Sequence, residues 1–282
     1  MNQRKSLKEL NLLDKFLFDE AMDDPENVKT MLDIILSQNT NLKQSPQTEK
    51  EQRTSTDNRQ IRLDVYAIDE DDVIYEVEAQ KKNTHNLPKR SRLYQGIIDS
   101  KLLPPGVVDF NLLNEVLIVL IMPFDLFGYG LYRYTFQMKC EEVPELKLDD
   151  GATRIFLNTK GKHPESVSPE LIELLKYMEH STDEVSEACE SKRIQEMHRR
   201  VCQIRASEKT EVKYMQSWEE RIMIKQEGIA EGRIEGEKAL LKSLIEKKMA
   251  KKYSAEQISA MLEVDVSEVE NIMKEIQNEK YL

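Results

Sequence analysis

Two acidic side chains and a glutamine stand at a spacing that could hold a metal ion. Asp64 lies in a largely apolar run at 62–68, and Glu78 and Gln80 end a second run at 73–80. Read as two strands joined by a turn, these runs place Asp64 beside Glu78 on one face of a sheet, with Gln80 facing the same side. Carboxylate oxygens are the ligands that Mg²⁺ prefers, and an open site between two of them can activate water for attack on a phosphodiester.

A second interpretation of this acidic pair stays open. Asp64 and Glu78 could be a solvent-facing cross-strand pair with no ligand, although like charges directly opposite each other destabilise a sheet unless a cation is present. Glu76 faces the same way and is a candidate additional ligand. Metal binding therefore explains the pair at a lower energetic cost than chance pairing does.

Positive charges follow the second strand directly. Between Gln80 and Asp99 the chain has no acidic residue but carries Lys81, Lys82, Lys89, Arg90 and Arg92. Phosphate binding needs a cationic surface, so we expect a DNA backbone to lie here, in contact with Lys82, Lys89, Arg90 and Arg92. The alternative is a solvated helix start with scattered basic residues.

Composition limits the class of protein. The chain has 282 residues, of which 39% are hydrophobic and 33% charged, and its net charge of −11 argues against coating nucleic acid through bulk electrostatics. No apolar stretch of membrane-spanning length and no secretory signal are evident, so we expect a soluble, cytoplasmic protein. The three cysteines and four histidines show no ligand spacing, and we assign them no role.

Helical and extended patterns alternate along the first 180 residues. Apolar residues recur at helical spacing over 7–38 and 88–101, and a further helix is expected from Ser168 to about Met178. The segment 39–60 is polar and predicts a loop or flexible hairpin. Strands are expected at 61–80 as a hairpin, at 115–122 as a central strand buried on both faces, and at 132–136 and 153–157. This order predicts an α/β (α+β) fold with a mixed central sheet flanked by helices.

Several ordered stretches carry a resemblance to a known family. They are Asp14–Phe18, Arg62–Tyr66, Glu78–Gln80, Asn86–Gln95, Asp125–Gly128 and Arg154–Gly161. Together they resemble the recombination-promoting nuclease (Rpn) family, whose members are often labelled transposases and belong to the PD-(D/E)xK nuclease superfamily. The resemblance implies a restriction-endonuclease-like core and a metal-dependent DNA endonuclease linked to DNA recombination, mobility or defence against foreign DNA.

The resemblance also implies roles for the residues at the matching positions. Asp64 matches the metal-binding aspartate, Glu78 the acidic residue of the (D/E)xK element, and Gln80 its third member. Glutamine offers hydrogen bonds where lysine would offer a positive charge. We therefore expect Asp64 and Glu78 to hold Mg²⁺, or another divalent cation such as Mn²⁺, while Gln80 positions the attacking water.

Two further function classes remain open. The chain could be a catalytically silent protein that keeps the nuclease fold for binding DNA or a protein partner. A transposase that performs strand transfer is suggested by the family's label alone, because the sequence shows no end-binding domain. Metal-dependent cleavage separates the enzyme from the silent protein.

From residue 182 to 253 the chain is rich in Glu, Lys, Arg and Gln and contains no proline, which is typical of a long, exposed helical segment. We therefore predict three regions: a nuclease domain at 1–181, this charged helical segment at 182–253 and a two-helix module at 254–282. Gly228, Gly232 and Gly236 recur every four residues, and each glycine costs a helix about 1 kcal/mol relative to alanine. They indicate either a stripe for self-association or docking, or a frayed linker. We expect a homo-oligomer formed through the C-terminal helices.

The tail superficially resembles a helix-turn-helix, but its second helix carries Glu268, Glu270 and Glu275 against a single Lys274. Such a surface is poorly suited to a groove lined by phosphates. The better interpretation is a small oligomerisation or regulatory module.

Overall fold

The computed structural model describes residues 4–52 and 61–279. Within these residues a mixed six-stranded sheet has the strand order β1-β2-β3-β4-β6-β5. Its strands are β1 (Gln47–Gln52), β2 (Ile61–Ile68), β3 (Ile74–Ala79), β4 (Val116–Met122), β5 (Arg133–Phe136) and β6 (Ala152–Asn158). Strands β3, β4 and β6 are parallel, whereas β1–β2, β2–β3 and β5–β6 pair antiparallel. The predicted α/β architecture is confirmed.

The helices of the described residues flank this sheet or follow it. They are α1 (Lys15–Met22), α2 (Pro25–Leu36), α3 (Leu87–Asp99), α4 (Pro169–Glu179), α5 (Asp183–Glu187), α6 (Lys192–Ala206), α7 (Glu208–Met249), α8 (Ala255–Leu262) and α9 (Val266–Glu279). The expected helical region 7–38 is a short 3₁₀ turn at Leu7–Glu9 followed by α1 and α2. Helix α2 begins at Pro25 because Asp24 caps it: the Asp24 carboxylate accepts a hydrogen bond from the Glu26 N–H, and proline is well suited to the first position of a helix.

Strand β4 is central because its apolar residues are covered on both faces. Six of its seven residues are buried, from Val116 to Met122. One face of the sheet packs against α1, α2, α4 and α6, and the opposite face packs against α3 and the segment that follows β4. The prediction of a central strand at 115–122 is confirmed. Strand β3 pairs directly with this central strand.

The polar segment at 39–60 differs in part from the loop expected there. Residues Gln47–Gln52 form β1, an edge strand paired with β2. The backbone of Glu49 has φ of 48°, a left-handed conformation that interrupts the regular pairing between Thr48 and Lys50. The remainder of the predicted loop, 53–60, lies outside the described residues.

The chain divides into two compact units, Met1–Tyr214 and Met215–Leu282. The predicted boundaries at 181 and 253 remain a prediction, but the expected exposure of 182–253 is wrong for α6. Its apolar face is buried in the first unit through Ile194, Met197 and Val201. In the second unit, α8 and α9 enclose a small core of Ile245, Ile258, Val269 and Ile276.

The tail also forms the two short helices that were predicted. Helix α8 opens with a capping box, in which the Gln257 N–H donates to Ser254 Oγ and the Ser254 N–H donates to Gln257 Oε1. No helix in the described part of the chain is both long enough and apolar enough to cross a bilayer.

Candidate functional site

Asp64 lies on β2 and is almost completely buried, with 6% of its surface exposed. Its Oδ1 accepts a hydrogen bond from Lys15 Nζ at 2.5 Å. Lys15 stands in the first turn of α1 and also forms an ion pair with Asp19 Oδ2 at 3.1 Å, one helical turn further on. Helix α1 therefore supplies both a positive charge and a second carboxylate to the middle of β2.

Glu78 and Gln80 are joined by Arg90 of α3. The Arg90 guanidinium forms an ion pair with Glu78 Oε1 and donates a hydrogen bond to Gln80 Oε1 at 2.7 Å. The amide nitrogen of Gln80 in turn donates to the Lys82 carbonyl at 2.5 Å. Because both ends of its amide are held, Gln80 has a defined orientation at the end of β3.

Glu76 is fully buried on the same strand. Neither of its carboxylate oxygens has a hydrogen-bond partner among the described residues, and the same is true of Glu78 Oε2. The register places Glu76 between Tyr66 of β2 and Ile118 of β4, two residues before Glu78 on the same face of β3. Buried carboxylate oxygens without partners are costly and call for a cation, a proton or ordered water.

Asp19, Asp64, Glu76 and Glu78 form an acidic cluster, and burial is the main cause of the raised pKa values of Asp19, Glu76 and Glu78. Burial raises the pKa of Glu78 to about 7, opposed by Arg90 and reinforced by Asp64. Burial, reinforced by Glu78 and Asp64, raises the pKa of Glu76 well above its usual range. The pKa of Asp19 also rises to about 7, because burial outweighs the opposing charge of Lys15.

The acidic cluster fits a divalent cation in its chemistry. Glu76 and Glu78 have unpartnered buried oxygens and pKa values raised by burial, so their negative charge is incompletely compensated. A hard cation supplies the missing positive charge. Its side chains are not arranged as a closed cage. In residues 4–52 and 61–279, no three members of the cluster bring ligand oxygens within 4.8 Å of one another. Lys15 and Arg90 instead pair individually with Asp64 and Glu78.

The predicted DNA-contacting residues differ from one another in position. Lys82, Lys89 and Arg92 are exposed at the loop before α3 and on its first turns. Arg90 is half-buried, and its guanidinium turns inward to Glu78 and Gln80. Its predicted contact with phosphate remains a prediction, which would require the guanidinium to leave or share these partners.

Lys15 and Asp19 are site residues that the sequence did not reveal. They are four residues apart in a helix, which is a common surface ion-pair spacing and carries no sign of a site. Lys15 is 49 positions from Asp64 in the chain, so their contact depends on how α1 packs against the sheet. The stretch 14–18 contributed to the family resemblance, but no role followed from it.

One comparison with known proteins gives a match. A model of the family described as PD-(D/E)XK nuclease family transposase matches residues 15–228, a span that includes α1, β2, β3 and α3. Searches of curated proteins and of solved structures found no match. Because the matched span covers more than half of the chain and contains the acidic cluster with Gln80 and Arg90, this chain belongs to the PD-(D/E)XK nuclease family transposases.

Proposed function

We propose that this protein is a metal-dependent DNA endonuclease that hydrolyses phosphodiester bonds and acts in DNA recombination or mobility, or in defence against foreign DNA. The observation that carries the proposal is the buried acidic cluster, in which three carboxylate oxygens of Glu76 and Glu78 find no hydrogen-bond partner in the described part of the chain. Each uncompensated buried charge costs several kcal/mol, so such a cluster is better suited to binding a cation than to stabilising the fold.

The roles of the residues follow from their places in the sheet. Asp64 and Glu78 hold Mg²⁺ or another divalent cation such as Mn²⁺, and Glu76 is the candidate additional ligand. The bound cation supplies positive charge that stabilises the transition state of the phosphodiester and favours deprotonation of water. Gln80 orients the attacking water through its amide, whose position is supported by hydrogen bonds to Arg90 and to the Lys82 carbonyl.

Arg90 neutralises part of the negative charge at Glu78 and holds Gln80. A guanidinium has five N–H donors, so Arg90 can keep Gln80 in place while it donates to a phosphate oxygen. Lys15 likewise neutralises part of the negative charge at Asp64. Both cations limit the repulsion that the acidic cluster would exert on an approaching DNA strand.

The DNA backbone lies over the start of α3 in this proposal. Lys82, Lys89 and Arg92 are exposed there and have no acidic neighbour in the sequence from 81 to 98. Contacts of this kind position the duplex without reading its sequence. A local basic surface is consistent with the net charge of −11, since the acidic residues lie elsewhere in the chain.

The alternative is a catalytically silent nuclease-fold protein that binds DNA or a partner. One observation favours it: Lys15 and Arg90 already pair with Asp64 and Glu78, which are the two proposed metal ligands. A site neutralised in this way needs no metal for folding. The two functions therefore differ in whether Mg²⁺ binds and whether DNA is cut.

The decisive experiment measures cleavage of supercoiled plasmid by the full-length protein with Mg²⁺, Mn²⁺, Ca²⁺ or EDTA. We expect cleavage with Mg²⁺ or Mn²⁺ that falls at least about 100-fold in Asp64→Asn and Glu78→Gln, because each change removes a charged ligand. Glu70→Gln is the matched control, since Glu70 is exposed in the turn between the same strands. Cleavage that persists in both site variants rejects the site, and metal-independent DNA binding without cleavage supports the silent protein.

A further inference from the structure

The hairpin of α5 and α6 brings together three side chains that are separate from the acidic cluster. Asp183 is the first residue of α5, and His198 and Cys202 lie four residues apart on α6. Among residues 4–52 and 61–279 they are the one set of three His, Cys, Asp or Glu residues whose ligand atoms lie within 4.8 Å of one another.

The separations within this trio are close to those of a tetrahedral metal site. His198 Nε2 lies 2.8 Å from Asp183 Oδ1 and 3.4 Å from Cys202 Sγ, and the sulfur lies 4.0 Å from Asp183 Oδ1. Ligands held by Zn²⁺ at ~2.0–2.3 Å with tetrahedral angles stand ~3.3–3.6 Å apart. The His198–Cys202 separation already lies in that range, and the two separations to the exposed Asp183 side chain lie on either side of it.

The orientation of His198 supports a shared ligand over the other chemistry that these residue types allow. Its Nδ1 is hydrogen-bonded to the hydroxyl of the fully buried Tyr177 at 3.0 Å, which leaves Nε2 facing both Asp183 and Cys202. In a nucleophilic Cys-His-Asp triad, the carboxylate and the nucleophile contact opposite ring nitrogens. Here Asp183 and Cys202 both lie near Nε2, which is the arrangement that lets three ligand atoms surround one ion.

We propose that Asp183, His198 and Cys202 bind one Zn²⁺, with water as the fourth ligand. Thiolate and imidazole select Zn²⁺ over Mg²⁺, so this trio and the acidic cluster take different metals. Tyr177 is a positioning residue, because it fixes the ring of His198. Asp183 has 80% of its side chain exposed, which leaves room for the water. The ion joins α5 to α6 and stabilises this part of the first unit.

The sequence contained part of this signal. His198 and Cys202 have the i, i+4 spacing that places two ligands on one face of a helix. Two ligands at this spacing do not by themselves indicate a metal site, and Asp183, 15 positions earlier than His198, joins them only through the packing of α5 against α6.

The test is a Co²⁺ titration of the full-length, EDTA-treated protein, followed by competition with Zn²⁺. We expect the near-ultraviolet absorption of a thiolate–cobalt bond to saturate at one Co²⁺ per chain and to disappear when Zn²⁺ is added. The band is lost in Cys202→Ser and retained in Cys140→Ser, the matched control. A wild-type protein without the band, or a band that survives in Cys202→Ser, overturns the proposal.

Two further variants separate this site from the acidic cluster and from a loss of folding. Asp183→Asn changes an exposed side chain and should weaken Zn²⁺ binding about 10- to 100-fold. Unchanged affinity in that variant overturns the proposal even if Cys202→Ser fails to fold. Asp64→Asn should keep the cobalt band, and its loss there would overturn the proposal that this site is separate from the acidic cluster.

Discussion

The carboxylates of the acidic cluster differ in whether a cationic side chain neutralises them. Asp64 and Glu78 each have a cationic partner, whereas Glu76 has none among its neighbours in the described structure. Without a metal, the least costly way to keep the Glu76 and Glu78 carboxyl groups buried is to protonate them. Binding of a divalent cation and binding of protons are therefore expected to compete at this site.

The stability of the metal-free protein should fall as the pH rises from about 5 to about 7. The folded-state pKa of Glu78, about 7, exceeds its ordinary value of 4.5, so the folded protein holds a proton that the unfolded chain releases in this window. The stability that the protonated Glu78 contributes is fully present below pH 4.5 and is lost as the pH rises through 7. We expect a decrease on the order of 2 kcal/mol in EDTA, measured by urea unfolding.

Glu78→Gln should flatten this pH dependence, because glutamine does not titrate. Asp19 contributes with the same sign, since its pKa is also raised to about 7. Glu170 and Glu179 have lowered pKa values, so their effect has the opposite sign and lies below pH 4.5. In the same window, affinity for Mg²⁺ should rise with pH. A wild-type stability that is level between pH 5 and 8 would contradict the raised pKa of Glu78.

Arg90→Met should increase the stabilisation that Mg²⁺ confers on the protein. Removing the guanidinium leaves Glu78 and Gln80 without their shared donor, so the metal-free protein loses about 1–3 kcal/mol. The cation then replaces a charge that Arg90 otherwise provides, and the melting temperature should rise more on adding Mg²⁺ than it does in the wild type. Arg92→Met, an exposed change on the same helix, is the control. An equal Mg²⁺ effect in both variants would show that Arg90 does not compensate the site.

At the scale of elements, two strands and two helices build the acidic cluster. Strands β2 and β3 pair antiparallel and present Asp64 and Glu78, α1 adds Lys15 and Asp19, and α3 adds Arg90. Strand β3 is held between β2 and the apolar β4, and all six of its residues are buried. The rigidity of the sheet thus fixes the carboxylates, while the helices bring the counter-charges.

The segment after β6 provides a test of packing between elements. A Cβ atom at Gly161 would overlap the ring of Tyr132, 2.6 Å from its Cδ1. We expect Gly161→Ala to lower the free energy of unfolding by about 1–3 kcal/mol, measured with urea, because the ring has to move. The control is Gly96→Ala in α3, where a Cβ meets no atom within 4 Å and helix propensity should add up to about 1 kcal/mol. A neutral Gly161→Ala would mean that Tyr132 adapts without cost.

At the scale of the whole molecule, the second unit is the candidate for assembly. Gly228, Gly232 and Gly236 all lie within α7, and a Cβ at any of them meets no atom of residues 4–52 or 61–279 within 4 Å. Large apolar side chains of the same helix are exposed, among them Ile229 and Ile234. An exposed helix with glycines in register and apolar neighbours is suited to packing against a second helix, so homo-oligomer formation remains our proposal.

Replacing the three glycines by alanine should weaken self-association at least about tenfold while stabilising the helix itself. The added methyl groups keep a partner helix from approaching closely, whereas helix propensity changes in the favourable direction. Sedimentation equilibrium of the full-length protein gives the association constant. The control replaces Glu227, Glu231 and Glu235 by alanine. A wild-type protein that is monomeric at all concentrations would reject the proposed oligomer.

Much of the fold could be predicted from local patterns. The uninterrupted apolar run of β4 predicts a strand covered on both faces, and the alternation around Asp64 and Glu78 predicts neighbouring strands. The edge strand β1 could not be predicted, because a strand with polar residues carries no hydrophobic period and owes its conformation to pairing with β2. The burial of α6 was missed for a related reason, since its charged residues mask a narrow apolar face.

The sequence by itself determined which elements form and which acidic residues they carry, because the hydrophobic period and the capping residues act over a few positions. Tertiary structure alone decided that Lys15 reaches Asp64, that Arg90 turns inward to Glu78, and that Asp183 meets His198. These contacts join residues from separate elements, and their formation depends on how the helices pack on the sheet and on one another. The local sequence pattern does not specify that packing. The counter-charges of the acidic cluster and the Asp183–His198–Cys202 trio could therefore be recognised only in the folded structure.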